Sequence, residues 1–210
     1  YTTPNISARL NNTKFRFFSS GGYGSTTTLD FPDGLYSVSA LNNQLGLLLV
    51  NKGFPADFLT ISGDDATQKT VITYGAAGIA LDFSGGDTFK DILGFDDLSP
   101  GNYPLSTAAG QNFTGQNVAS FNTLNSYLIH SDLVSQGIPV NANGASILAQ
   151  VPISSRPGSQ IVYQPQNPSR TDLTELIGLP RSSFRIWLTN QVGDYIDTNG
   201  EDYSIVVILR

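Results

Sequence analysis

The sequence predicts an all-β fold of the sandwich or barrel type, and three observations carry that prediction. Short stretches rich in Val, Ile, Thr, Phe and Tyr recur along the chain, about nine in all, each bounded by Gly, Pro, Asn or Asp. Where a period can be read it is two: Phe184, Ile186 and Leu188 alternate with Arg185, Trp187 and Thr189. Gly 21 and Pro 11 supply turns throughout. The 210 residues suit one large all-β domain, and with no repeat or linker in sight residues 1–210 read as a single domain. A chain of that length buries a core without staples.

The elements follow in order. Residues 1–13 are extended and polar, and Phe15, Phe17 and Phe18 mark a first strand. Gly21-Gly22-Tyr23-Gly24 reads as a turn, and the Thr-rich stretch from Ser25 to Phe31 as a strand ended by Pro32-Asp33-Gly34. The best helix begins with Ser39 as N-cap, carries Leu41, Leu45, Leu48 and Leu49 on one face, and stops at Gly53. Those leucines read as core packing rather than as a partner-binding face. Phe58–Ile61 and Thr70–Tyr74 flank Gly63-Asp64-Asp65-Ala66 as a hairpin, and Gly78–Phe83 is a further strand. Asp87 is placed to cap one helical turn holding Phe89, Ile92 and Leu93, with Gly94 ending it.

Residues 96–122 give no period and read as a long loop. Strands are expected over Tyr127–Val134, Ser146–Val151 and Ser159–Tyr163, the last after a Pro157-Gly158 turn. Asp172 with Glu175 resembles a helix cap ahead of Leu173, Leu176 and Ile177. The last two strands are Ser183–Thr189 and Tyr203–Leu209, joined across Gly193-Asp194 and Asn199-Gly200. Tyr203–Leu209 is apolar on both faces, which predicts a central strand covered on both sides. A charge at Val207 is therefore expected to stop folding and assembly.

Composition excludes several classes of function. Lys+Arg 11 against Asp+Glu 17 gives a net charge of -6, the wrong sign for a surface that binds nucleic acid. Cysteine is absent, which removes disulfides and thiolate metal sites. No apolar run is long enough to span a membrane, and Tyr1-Thr2-Thr3-Pro4 is not a signal peptide. Methionine is absent even at position 1, so the chain is expected to start inside a longer or processed one. Charged residues make up 13%, a surface suited to contact as much as to solubility.

No constellation for catalysis stands out. The single histidine lies in His130-Ser131-Asp132, where strand neighbours point to opposite faces and cannot relay a proton to each other. It reads as a structural hydrogen-bonding residue. Asp197 to Asp202 has the acidity of a calcium loop but sets Gly at its fourth position and enters a strand at once, so a polar turn is the better account. Asp64-Asp65 and Asp96-Asp97 are acidic pairs in turns, and Arg170, Arg181 and Arg185 are too few for a nucleic-acid groove. Asn5-Ile6-Ser7, Asn11-Asn12-Thr13 and Asn112-Phe113-Thr114 match the glycosylation triplet, as an Asn-rich chain does by chance. Trp187 is either a contact anchor or covered by a loop. Catalytic, cofactor-binding and metal residues are therefore none, and no enzyme activity is expected.

Four blocks then resemble one family. They are Asn5-Ile6 with Asn11-Asn12 and Phe15; Phe31-Pro32-Asp33-Gly34-Leu35-Tyr36-Ser37 followed by Leu41-Asn42; Phe89 with Ile92-Leu93-Gly94-Phe95; and a second half made of Ile129-His130-Ser131-Asp132-Leu133-Val134, Leu188-Thr189-Asn190-Gln191-Val192-Gly193 and Asp197-Thr198-Asn199-Gly200-Glu201-Asp202. In order and spacing these resemble the single jelly-roll minor capsid (penton) proteins of Polinton-type elements, virophages and related eukaryotic DNA viruses. Residues 96–122 and 164–182 match none of the family's blocks.

The resemblance implies a single jelly-roll β-sandwich with one or two short helices in its connections. It implies a structural virion protein at the vertex of an icosahedral capsid, a homo-pentamer ringed by trimers of a double jelly-roll major capsid protein. It implies no cofactor and no direct contact with the genome. A cement or minor protein between capsomers is the nearby variant. A carbohydrate-binding β-sandwich, suggested by loop-borne Tyr and Asn, is the alternative from another class.

Overall fold

A computed structural model of the chain describes residues 3–19, 23–96, 105–121, 124–134, 146–155, 159–167, 182–198 and 200–208. The fold class is the one expected: all-β and jelly-roll-like, with three antiparallel three-stranded sheets and helices confined to connections. The chain divides into two compact units, residues 4–121 and residues 1–3 with 122–210.

The unit of residues 4–121 holds two sheets. Strand β1 (Lys14–Ser19) lies between β2 (Tyr23–Asp30) and β5 (Ile79–Asp82), and β4 (Lys69–Tyr74) between β3 (Leu59–Asp64) and β6 (Gln111–Thr114). Alternation sets what is buried. Phe15, Phe17 and Ser19 of β1 face inward, as do Thr70, Ile72 and Tyr74 of β4. Phe18 falls on the outer face and is half-buried. Rings from several elements meet inside: Phe15 stacks on Phe89 at 5.5 Å and meets Phe83 edge-on at 5.8 Å, while Phe31 meets Phe89 at 4.9 Å. Such pairs add about 0.5–1.5 kcal/mol each beyond the area they bury.

Helix α1 (Val38–Asn51) covers this core with Leu41, Leu45 and Leu49, all fully buried. Ser37, not Ser39, is its N-cap: the Ser37 hydroxyl accepts from Ala40 N at 3.2 Å. Residue 37 is the last in extended backbone, so Ser39 already sits in the first turn. Gly53 follows the C-cap Lys52 with φ +86°, as expected of a residue just past a helix end.

Helix α2 (Lys90–Leu93) is the single turn foreseen, closed by Gly94 at φ 75°. Asp87 does not cap it. Its carboxylate accepts from Thr13 N at 2.7 Å and pairs with Lys14 Nζ at 3.4 Å, which ties this loop to β1. Burial works against that carboxylate, but the bonds from Thr13 and Lys14 outweigh it and hold its pKa below the usual range. Strand β6 lies inside the stretch expected to be loose. Only Phe113 in it is half-buried, so it carries no readable period.

The other unit carries one sheet. Strand β7 (Ser126–Ser131) lies between β8 (Ile147–Pro152) and β9 (Ile186–Thr189). Ser159–Tyr163 forms no strand. The helical turn over 172–177, the Pro157-Gly158 turn and Leu209 lie outside the described residues.

Residues 203–208 are not a central strand. They pair with nothing regular, and Tyr203, Val206 and Ile208 are 55%, 88% and 71% exposed. The physical reason is at the neighbouring edge. After β9 the chain turns at 190–193 and returns beside it, pairing Tyr195 with Thr189 and donating Ile196 N to Leu188 O at 3.3 Å. That return fills the position next to β9. An apolar run on both faces means two-sided cover only where two layers and an open edge exist to receive it. Gly200 does turn the chain, with φ 79° and a bond from Glu201 N to Thr198 O at 3.0 Å, but no hairpin follows. A charge at Val207, 38% exposed, is thus met by solvent and not by a core.

Candidate functional site

The chain's one titratable group of neutral range is bound up in the sheet. His130 points to the buried face of β7 and is 7% exposed. Its Nδ1 lies 2.8 Å from Ser146 Oγ and its Nε2 2.8 Å from Thr189 Oγ1. The Thr189 hydroxyl donates its single proton to Asn190 O at 3.1 Å. It must therefore accept from Nε2–H, and Nδ1 accepts from the Ser146 hydroxyl. Trp187 lies flat against the ring at 5.3 Å with 10° between the planes. Trp187 is half-buried against this strand neighbour, an arrangement that neither sequence reading, a contact anchor or cover by a loop, describes.

This arrangement links β9 and the entry to β8 through one side chain on β7. It does not form a nucleophile–base pair. Ser131 is fully buried and accepts from Leu133 N at 3.2 Å, and Asp132 accepts from Arg185 N at 2.9 Å. Ser131 and Asp132 hold backbone while His130 holds two hydroxyls, so the three side chains serve separate partners.

Burial pushes the pKa of His130 below its ordinary 6.5. The unfolded chain then binds a proton more readily than the folded one. Stability from this residue is complete above pH of about 6.5 and is lost as pH falls through that value toward the lower folded pKa. The single histidine resonance followed by NMR is expected to titrate below pH 6.5. The wild-type protein should lose stability relative to His130→Gln as pH falls below about 6.5. A resonance titrating above 6.5 would contradict the buried, neutral ring.

The other candidates are also held structurally. Asp64 takes Thr67 Oγ1 at 2.6 Å and Ala66 N at 3.0 Å, which shapes the β3–β4 turn. The Thr67 bond, then that of Ala66, lowers its pKa. Asp96 accepts from Asn117 Nδ2 at 2.8 Å. Arg185 is exposed, while Asp97, Arg170, Arg181 and Asn199 lie outside the described residues. Among the described residues no three His, Cys, Asp or Glu side chains converge as a metal set, and no helix is long and apolar enough to cross a membrane.

The glycosylation triplets separate by burial. Asn5 is 1% exposed, and its amide donates to Tyr36 O at 2.8 Å and Phe121 O at 3.0 Å and accepts from Tyr36 N at 2.8 Å. It is an interior fastener that the sequence motif alone misreads. Asn11 donates to Gly86 O at 2.7 Å, and Asn112 is exposed on β6 and accepts from Thr73 Oγ1 at 2.8 Å.

What distinguishes the surface is apolar exposure. Among the described residues, five exposed large hydrophobics belong to residues 4–121 and nine to the unit of 122–210. The nine include Val162, Phe184, Val192 and Tyr195 as well as the run Tyr203, Val206, Val207 and Ile208. The cluster of buried aromatic and aliphatic side chains, by contrast, lies wholly within residues 6–95. Among the described residues, large apolar exposure is thus concentrated in the unit of 122–210. The β-branched composition of 203–208 is the sequence signal for it, although that composition alone does not separate an exposed run from a buried strand.

No family model matches the chain, and no curated protein matches it. Among solved structures it is similar to the selenomethionine-labelled penton protein of mavirus, at 15% identity over 81% of this chain and 67% of that one, with a TM-score of 0.42. A likeness of that size carries no argument about function.

Proposed function

We propose that the chain is a structural virion protein: a single jelly-roll minor capsid subunit over residues 1–210 that forms pentamers at the vertices of an icosahedral DNA-virus capsid, against trimers of the major capsid protein. The observation that carries this reading is the concentration of uncovered apolar side chains in the unit of 122–210. The sequence blocks support it, because each has a mechanical duty. Asn5 fastens the first segment, Ser37 caps α1, Asn42 Oδ1 accepts from Ile61 N at 2.7 Å, Gly94 turns the chain after α2, and His130 ties β9 to β7. Residues kept for shape, with none gathered around a reactive centre, suit a building block rather than a catalyst. A ring of copies needs two unlike faces per subunit that meet head to tail. The net charge of -6 keeps this subunit off the genome.

The test is the assembly state. Mass measurement of the purified chain and images of particles containing it are expected to show pentamers on fivefold axes. A strict monomer that never enters particles would remove the reading, and a copy number set by another symmetry axis would make it a cement protein. Exposed Tyr163, Tyr195 and Tyr203 favour glycan binding as the second reading. A glycan screen without a hit at about millimolar concentration would remove that one.

A further inference from the structure

Among the described residues, a single copy of this chain leaves both a strand donor and a strand acceptor open. The donor is the run of residues 203–208, Tyr-Ser-Ile-Val-Val-Ile, whose β-branched and aromatic side chains suit a pleated sheet. It joins no ladder and its apolar side chains stand in solvent. The adjacent edge of β9 is taken by the return through Tyr195 and Ile196.

The acceptor follows from an account of the sheet edges among the described residues. The β5 edge is short and is engaged at its start by Ser106, whose Oγ accepts from Ile79 N and whose N donates to Ile79 O, both at 2.8 Å. The β3 edge is covered by α1, where Asn42 takes Ile61 N. Strand β6 has four residues, and β8 ends on Pro152, which has no N–H to give. Strand β2 is different. It is eight residues long and pairs only with β1, and Thr26, Thr27 and Thr28 give it an uncharged middle. It carries neither Lys nor Pro, two usual guards of an edge, although α1 approaches it.

We propose that residues 203–208 of one copy add as a strand to the outer edge of β2 of a second copy. Strand addition satisfies the open peptide groups of both partners, and alternate side chains of the donor extend the two faces of the receiving sheet. Donor and acceptor are different patches of one chain, so the contact is head to tail and continues from copy to copy until it closes. Closure as a five-membered ring rests on the function proposed above; the strand addition needs only a second copy.

Absence of cysteine makes the test clean. Thr26→Cys or Thr28→Cys is placed in one preparation and Ser204→Cys or Val206→Cys in another, and the two are mixed and oxidised. Disulfide-linked mixed dimers are expected, and a double variant should give a ladder that ends at the ring size. No mixed dimer, or a double variant that closes only within single chains, overturns the proposal. Val206→Asp is expected to raise the concentration needed for assembly by about tenfold or more while leaving the monomer's melting midpoint unchanged. Unimpaired assembly of that variant also overturns it. Native pentamers without crosslinks would refute strand addition and spare the pentamer; a ladder ending at another number would do the reverse.

Discussion

Phe15→Ala is expected to remove about 3–5 kcal/mol of stability, the range for truncating a buried aromatic ring. That is a large share of the roughly 5–15 kcal/mol that holds a native domain together. The upper half of the range is favoured by how the site is walled. Phe15 is fully buried in the middle strand of its sheet, with Phe89 stacked on one side and Phe83 edge-on. Phe89 is itself held by Phe31 at 4.9 Å, and Phe83 packs on Phe95 at 5.4 Å. Walls braced from behind do not collapse into the space, so the cavity term stays. Urea titration followed by far-ultraviolet circular dichroism measures it. Phe18→Ala, on the half-buried face of the same strand, is the control and should cost about 1 kcal/mol or less. Equal losses from the two variants would contradict the assignment of faces.

Gly94→Ala is the second large effect. Gly94 adopts φ +75°, where a side chain costs about 1–2 kcal/mol. An added Cβ would also run into the backbone carbonyl of Asn117 and lie 3.0 Å from Val118 O. These are main-chain atoms held by the bond from Asn117 N to Gly94 O at 2.8 Å, so they do not swing aside. Crowding of this kind costs a further 1–3 kcal/mol or so, for a total of about 2–5 kcal/mol. Gly53 separates the two causes. Its φ of +86° is similar, but nothing lies within 4 Å of its would-be Cβ. Gly53→Ala should show the conformational cost alone, about 1–2 kcal/mol in a thermal or urea melt. If both variants lose the same amount, the close approach at Asn117 is not real.

The parts of the fold that were legible in the sequence are those in which local pattern and burial coincide. Phe15 and Phe17 alternate because β1 is covered on one face, and Leu41, Leu45 and Leu49 recur because α1 docks one stripe. Gly53 and Gly94 stop their helices for a reason internal to the backbone. The readings that went astray depend on partners distant in sequence. Asp87 looks like a cap for α2 but is held by Thr13 and Lys14, more than seventy residues away. The triplet at Asn5 reads as a chance match, and the interior duty of Asn5 on Tyr36 and Phe121 was not legible. Residues 203–208 have the composition of a buried strand, and composition does not say whether a neighbour has already filled the edge beside them. For His130 the lack of a relay was legible from strand alternation, whereas its actual partners, Ser146 and Thr189, were not.

The stack of Trp187 on His130 gives the molecule a built-in optical gauge. The chain has one tryptophan and one histidine, and they lie face to face across the β7–β9 ladder. Tryptophan emission therefore arises from a single position, beside the strand that leads into the uncovered terminal run. A protonated imidazole quenches an indole it touches, and loss of contact with the ring restores the light. The same signal thus reads the ionisation of the histidine and the attachment of the last ladder strand, in unmodified protein and in real time.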